Sequence, residues 1–123
     1  MENVCLLGID FGSKRVGTAI SHGFMAEAYK TLDYTKKENF YKDLTGIIDE
    51  QKIQKLVVGL PLLDGRETAQ TKWTIAQVDE LKDKINIPVE FVDEAYSSVE
   101  ADKYASDRDS ESARIILEQY LAS

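Results

Sequence analysis

The chain has 123 residues, with 15 basic and 22 acidic side chains and a formal net charge of −7. This length and a composition of 43% hydrophobic residues are those of one globular domain, and we expect a single domain over residues 1–123. No basic-then-apolar leader and no apolar run of about 20 residues is found, so we expect neither export nor membrane insertion. The lone Cys5 cannot form an internal disulfide; we interpret it as a small buried side chain in a cytoplasmic protein.

The acidic excess lies in the second part of the chain. Residues 1–75 carry 10 basic and 10 acidic side chains, whereas residues 76–123 carry 5 and 12. This distribution argues against a simple nucleic-acid-binding tail. A nucleic-acid enzyme is still compatible with it, because carboxylates that hold divalent metals add negative charge where a phosphate must bind.

The first third of the chain reads as three strands. Apolar runs or alternating patterns over residues 4–9, 16–21 and 24–32 are separated by turns that are too short for a crossover helix. We therefore predict an antiparallel meander.

The apolar spacing then changes from that of strands to that of helices. Apolar residues four, seven and eight positions after Phe40 predict a helix over residues 37–51. Residues 56–60 predict a buried strand closed by Pro61, and residues 89–92 predict a fifth strand. A helix is expected between these two strands, with Ile75, Val78, Leu81 and Ile85 as its inner stripe.

Helical patterns also end the chain. Ser97 and Glu100 have the spacing of a capping box, which would start a helix. The inner stripe of the last helix is predicted as Ala113, Ile116, Leu117, Tyr120 and Leu121. The order β-β-β-α-β-α-β-α predicts an α/β fold with a ribonuclease-H-like mixed five-stranded sheet flanked by helices.

Asp10 is the first catalytic candidate. It follows a buried apolar run directly, and a carboxylate in such a place is costly unless something pairs with it. The alternative is an Asp that only caps the strand or the turn.

Two further places carry candidate acids. Asp93 and Glu94 follow the fifth strand, and because adjacent strand residues face opposite sides, one of them is expected at the site. Asp109 lies one helical turn before Ala113, with Asp107 as the fallback. Solvated loop acids and helix-capping acids remain alternatives at these positions.

Three carboxylates at one edge of a mixed sheet would bind Mg²⁺ or Mn²⁺ and support hydrolysis of a phosphodiester. A zinc site lacks ligands, because Cys5 and His22 are the only residues of their types. His22 could act as a proton shuttle, and Trp73 could stack on a base. A structural role is the alternative for each of them. The cations expected to bind phosphate, unless they are only solvated surface, are Lys14, Arg15, Arg66 and Lys72.

Four segments together resemble a known family. They are residues 7–19 (LGIDFGSKRVGTA), 57–65 (VVGLPLLDG), 92–101 (VDEAYSSVEA) and the acid-led helix over residues 109–119. They occur in the order found in the YqgF family, also called RuvX, of Holliday-junction-resolvase-like proteins and pre-16S ribosomal RNA nucleases. The similarity runs over nearly the whole chain.

The resemblance implies a ribonuclease-H-like fold and a metal-dependent nuclease that trims the precursor of 16S ribosomal RNA in a bacterial cytoplasm. It also implies that Asp10, Glu94 and Asp109 are the acidic site residues. The sequence departs from the family pattern where Ala95 and Tyr96 stand after the Asp-Glu pair, and in a short, acidic segment at residues 103–109.

Other functions stay open at this stage. The departures suggest a nuclease-like module that binds RNA during ribosome assembly with weak or no cleavage. A resolvase of branched DNA is another alternative, and paired cuts would call for a homodimer rather than a monomer. The acid–x–Gly turn at Asp10 also fits nucleotide-binding folds, but those duplicate the domain around a cleft, which this length does not allow.

Overall fold

The computed structural model describes residues 4–93 and 108–122, with side chains in the last helix from Ser110 onward. The strands and helices, in chain order, are β1 (Leu6–Phe11), β2 (Arg15–Ser21), β3 (Ala26–Asp33), α1 (Lys37–Gln51), β4 (Lys55–Leu60), β5 (Leu62–Leu63), β6 (Arg66–Glu67), α2 (Ala69–Lys82), β7 (Val89–Asp93) and α3 (Arg108–Ala122).

Five strands form one mixed sheet in the order β3-β2-β1-β4-β7. The first three pair antiparallel, as the meander predicted, whereas β4 is parallel to β1 and β7 is parallel to β4. The intervening helices supply the crossovers that parallel neighbours require. The predicted ribonuclease-H-like mixed sheet is confirmed.

The two faces of the sheet are packed differently. Alternation along β1 directs Leu7, Ile9 and Phe11 toward α1 and α2, where they join the larger core. Leu6 faces α3 and joins a smaller core that contains two alanines of the sheet and one of the helix. The larger core is built from bulky aliphatic and aromatic side chains, whereas the smaller core lets a helix approach the sheet closely.

Gly8 shows how close that approach is. A Cβ atom at Gly8 would lie 2.9 Å from the carbonyl oxygen of Ala113 and 3.0 Å from Cβ of Leu117. At the other end of the helix, Tyr120 contacts Lys55, which begins β4. Helix α3 therefore runs antiparallel to β1 and β4, and its amino terminus points toward their carboxyl ends.

A small hairpin, β5–β6, follows β4 and was missed by the sequence analysis. Leu62 pairs with Glu67 and Leu63 with Arg66. The two turn residues, Asp64 and Gly65, both have positive φ angles, 52° and 76°. Left-handed residues at both positions make the turn type that Asp-Gly favours, so that dipeptide was the signal that could have found the hairpin.

The inner stripe of α2 is more polar than predicted. Val78 and Leu81 are fully buried, but Ile75 is half-buried and Ile85 lies beyond the end of the helix. The other buried residues of α2 are Thr71, Thr74 and Gln77. The hydroxyls of Thr71 and Thr74 donate to the carbonyls of Pro61 and Gln70, and Oε1 of Gln77 accepts from the hydroxyl of Tyr34. Apolar periodicity cannot detect a stripe of this kind.

Candidate active site

Asp10 is the second-last residue of β1, so it lies within the strand rather than after it. Its side chain is half-buried. By alternation it shares the face of Leu6 and Gly8, which is the face covered by α3. A carboxylate is thus positioned on a rigid strand, toward the end of the sheet to which the amino terminus of α3 points.

The strand positions beside Asp10 are glycines. Gly17 on β2 pairs directly with Asp10. On the other side Ile9 pairs with Val58, so the residue level with Asp10 on β4 is Gly59. Neither neighbour has a side chain, and the space next to the carboxylate on this face is therefore not filled from the adjacent strands.

The turn between β1 and β2 presents Lys14 and Arg15, which are both exposed. The backbone N–H of Gly12 donates to the carbonyl of Arg15 at 2.8 Å, and the N–H of Tyr34 donates to the carbonyl of Lys14 at 2.8 Å. A Cβ atom at Gly12 would lie only 2.7 Å from the Arg15 carbonyl oxygen. The turn is tight because residue 12 is glycine, and its backbone hydrogen bonds position residues 14 and 15 at the edge that carries Asp10.

An aromatic layer supports this turn from the opposite face. The ring of Phe11 contacts those of Tyr34, Phe40 and Trp73 with centroids 5.6 to 6.4 Å apart. Burial raises the pKa of Tyr34 to about 12. Trp73 is half-buried in this layer, which favours its structural role over base stacking.

The other two predicted cations lie near the same edge. Arg66 is on β6 and Lys72 is in the first turn of α2, and both are exposed. These elements follow the carboxyl end of β4, which is parallel to β1 and so ends at the same edge as Asp10. The Thr71 hydroxyl donates to the carbonyl of Pro61 and ties the start of α2 to the end of β4.

Of the Asp93–Glu94 pair, the structure describes only Asp93. It is exposed at the end of β7. Val89 packs on the larger core and Val92 on the smaller one, so alternation assigns Asp93 to the α1/α2 face, opposite Asp10. Glu94 and the neighbouring Ala95 and Tyr96 lie outside the described residues, as do the predicted capping box and Asp107.

Asp109 is the second residue of α3, and its side chain lies outside the described residues. The backbone places it at the end of α3 that points toward the carboxyl ends of β1 and β4. Within the described part of the chain no three His, Cys, Asp or Glu side chains form a metal-binding group. Asp10 is thus the one acid of the predicted triad whose side chain the structure describes.

His22 and Cys5 lie at the opposite edge of the sheet. His22 follows Ser21, which pairs with Leu6 at the start of β1. Its Nδ1 is 3.4 Å from Sγ of Cys5. A proton shuttle at Asp10 is therefore excluded for His22. Cys5 is half-buried rather than fully buried, because it precedes β1 instead of lying within it.

Comparison with solved structures identifies the fold class. The chain is similar to RuvC of T. thermophilus in complex with a Holliday junction substrate, with a TM-score of 0.61, 10% identity and coverage of 97% of this chain and 95% of that one. Another RuvC structure from Thermus thermophilus gives a TM-score of 0.54 at 12% identity, covering 97% and 81%. The chain therefore has the ribonuclease-H-like fold of RuvC.

Sequence comparison identifies the family. The model of the family described as "RuvX: Holliday junction resolvase" matches residues 4–123. A protein of Maridesulfovibrio salexigens named "Putative pre-16S rRNA nuclease" is 37% identical, covering 95% of this chain and 97% of that protein. One of the same name from Burkholderia mallei is 40% identical, covering 98% and 89%. The chain belongs to the RuvX (YqgF) family. No described helix has the length and apolar character needed to cross a membrane.

Proposed function

We propose that this protein is a divalent-metal-dependent nuclease that hydrolyses phosphodiester bonds in the precursor of 16S ribosomal RNA. The observation that carries the proposal is the half-buried Asp10 on β1, with glycines on both neighbouring strands and exposed cations on the adjoining turn. Family membership and the names of the relatives support the reaction class and the substrate. We further propose that the protein acts in the cytoplasm as one domain, monomeric or homodimeric.

The proposed ligands are carboxylates, which suit a hard divalent cation. We assign Asp10, Glu94 and Asp109 as its carboxylate ligands, since Mg²⁺ and Mn²⁺ prefer oxygen donors. We assign Glu94 rather than Asp93, because Asp93 has the parity of the face opposite Asp10. A bound Mg²⁺ or Mn²⁺ would supply activation of the attacking water and stabilisation of the leaving oxygen.

The cations of the chain bind and orient the substrate in this proposal. Lys14 and Arg15 are held by the tight Gly12 turn beside Asp10. Arg66 and Lys72 extend the positive surface along the edge that follows β4. Guanidinium and ammonium groups so placed would attract the phosphodiester backbone and offset the acidic charge of the site.

The decisive experiment compares the wild type with Asp10→Asn on two labelled substrates, a 16S ribosomal RNA precursor and a four-way DNA junction, with Mg²⁺ or Mn²⁺. We expect the wild type to cleave the RNA and Asp10→Asn to lose at least about 100-fold in rate. Circular dichroism and urea unfolding would check that the variant is folded. Cleavage by folded Asp10→Asn at the wild-type rate would contradict the carboxylate mechanism.

The pair at the end of β7 supplies a matched control. Asp93→Asn and Glu94→Gln each remove one negative charge at adjacent positions. We expect Asp93→Asn to retain cleavage and Glu94→Gln to lose it. The reverse result would overturn the assignment of Glu94. Cleavage of the junction alone would move the substrate class to branched DNA, and RNA binding without cleavage would support the assembly-module alternative.

A further inference from the structure

An apolar ridge lies at the edge of the sheet opposite the candidate active site. It consists of Phe24 and Met25, at the turn between β2 and β3, which are 81% and 62% exposed. The preceding Gly23 has a φ of 136°, a value that side-chain-bearing residues rarely adopt. Adjacent large apolar side chains this exposed are unusual on a monomeric surface and typical of interaction sites.

The ridge separates two hollows. Ile20, His22 and Glu27 line the first hollow together with Phe24 and Met25. On the other side, Phe24 and Met25 line a second hollow with residues at the start of β3 and the end of α3: Ala26, Glu118, Leu121 and Ala122. We call the ridge and its hollows the distal patch. An aromatic anchor flanked by concave apolar surface is the usual form of a polypeptide-binding hot spot.

The charge of the distal patch selects among binding partners. Its lining includes the carboxylates of Glu27 and Glu118, and no lysine or arginine from the described residues lines either hollow. Glu118 is in an ion pair with Arg114 at 2.6 Å, so Glu27, which is exposed on β3, contributes most of the negative charge of the patch. A phosphate backbone would be repelled here, and a two-fold pairing of identical copies would bring like charges together. A cationic polypeptide is favoured instead.

We propose that the distal patch docks a basic, apolar segment of a partner protein. Its aliphatic or aromatic side chains pack on Phe24 and Met25, and its lysines or arginines lie near Glu27 and Glu118. The patch is at the amino end of β1, about 13 Å or more along the strand from Asp10 at roughly 3.3 Å per residue. A docked partner therefore leaves the candidate active site open. This proposal does not depend on the nuclease function.

The test uses the full chain and a fluorescent peptide of about 12 residues in which leucine and lysine alternate. Fluorescence anisotropy would measure its affinity for the wild type, for the double variant F24S/M25S and for Leu63→Ser. The last is the matched control, since Leu63 is 66% exposed at the opposite edge of the sheet. All three proteins carry the same formal charge. We expect F24S/M25S to bind at least about tenfold more weakly and Leu63→Ser to bind like the wild type.

A second pair of measurements tests the charge argument. Glu27→Gln should also weaken peptide binding and reduce its salt dependence, because a screened attraction is lost. A peptide in which leucine and glutamate alternate should not bind. Circular dichroism would confirm that the variants are folded.

Several outcomes would overturn the proposal. Equal peptide binding by the wild type and F24S/M25S would show attraction by net charge alone, and absence of binding to the wild type would remove the site. A wild-type dimer in sedimentation equilibrium that F24S/M25S loses would assign the patch to a second copy of this chain. Binding of a single-stranded RNA oligonucleotide that F24S/M25S loses would assign it to nucleic acid.

Discussion

The two faces of the central sheet use opposite packing strategies. On the α1/α2 face, large aromatic and aliphatic side chains fill a wide core around Phe40. On the α3 face, Gly8 and small residues such as Ala19 and Ala113 bring the helix against the strands. The first face holds the larger cluster of buried apolar side chains, whereas on the second face the strand positions beside Asp10 are glycines. The proposed carboxylate site and the larger core therefore lie on opposite faces of the sheet.

Truncation of a side chain on the α1/α2 face should have the largest effect on the free energy of unfolding. Phe40 is fully buried, and its ring contacts Phe11, Tyr34 and Tyr41. We expect Phe40→Ala to lower the free energy of unfolding by about 3–5 kcal/mol through lost burial and a residual cavity. Urea unfolding would measure it. Leu63→Ala, at an exposed site, is the control and should change stability by less than about 0.5 kcal/mol.

On the α3 face, a larger side chain should destabilise the protein. A methyl group at Gly8 meets the backbone carbonyl of Ala113 at 2.9 Å, and a backbone atom cannot yield as a flexible side chain can. We expect Gly8→Ala to destabilise the protein by about 2–3 kcal/mol. Gly46→Ala is its opposite, since a Cβ there meets nothing within 4 Å in the middle of α1. It should stabilise by up to about 1 kcal/mol. Equal effects of the two substitutions would contradict the close-packed helix.

Which elements of the fold can be predicted from the sequence depends on the kind of pattern that each one carries. The helix over residues 37–51 was predicted with its observed ends, because its apolar period is regular. The β5–β6 hairpin was missed, since two-residue strands carry no periodicity, and the polar stripe of α2 is invisible to an apolar criterion. These failures are local, and they leave unchanged the predicted antiparallel meander and mixed five-stranded sheet.

The candidate site was predictable in its residues but not in its surroundings. Asp10 stood out as an acid in an apolar strand, whereas the role of Gly59 depends on a β1–β4 register that no local signal specifies. The exclusion of His22 likewise required the strand pairing, which places it at the far edge. The assignments of Glu94 and Asp109 remain predictions.

Alkaline titration would test whether the phenol of Tyr34, on the α1/α2 face, is shielded from water. Burial raises the pKa of Tyr34 from 10.0 to about 12, so the folded state holds the phenol proton more tightly than the unfolded state. The corresponding stability is present below pH 10 and is lost as pH rises toward 12, by about 2 kcal/mol. Urea unfolding of the wild type and of Tyr34→Phe at several pH values would isolate the contribution of this phenol, because all other groups titrate in both proteins. Parallel pH profiles would contradict burial of the phenol.

The smallest effect is expected at the far end of α3, where the helix is joined to the sheet by polar contacts. The Nζ atom of Lys55 lies 3.0 Å from both Oε1 of Glu90 and the hydroxyl of Tyr120. The hydrogen bond from Lys55 lowers the pKa of Glu90 below its ordinary 4.5, so the folded state favours the carboxylate. Its contribution is present above pH 4.5 and is lost as pH falls through the lower, folded-state pKa. Glu90→Gln should therefore be slightly less stable than the wild type at neutral pH, and the gap should close in acid and shrink in high salt, because the pair is exposed. Cleavage of the RNA precursor by Glu90→Gln should equal cleavage by the wild type, since the contact is at the end of the helix away from Asp10. A large loss of cleavage with little loss of stability would show that the position of α3 against the sheet, and not only the space beside Asp10, controls the site.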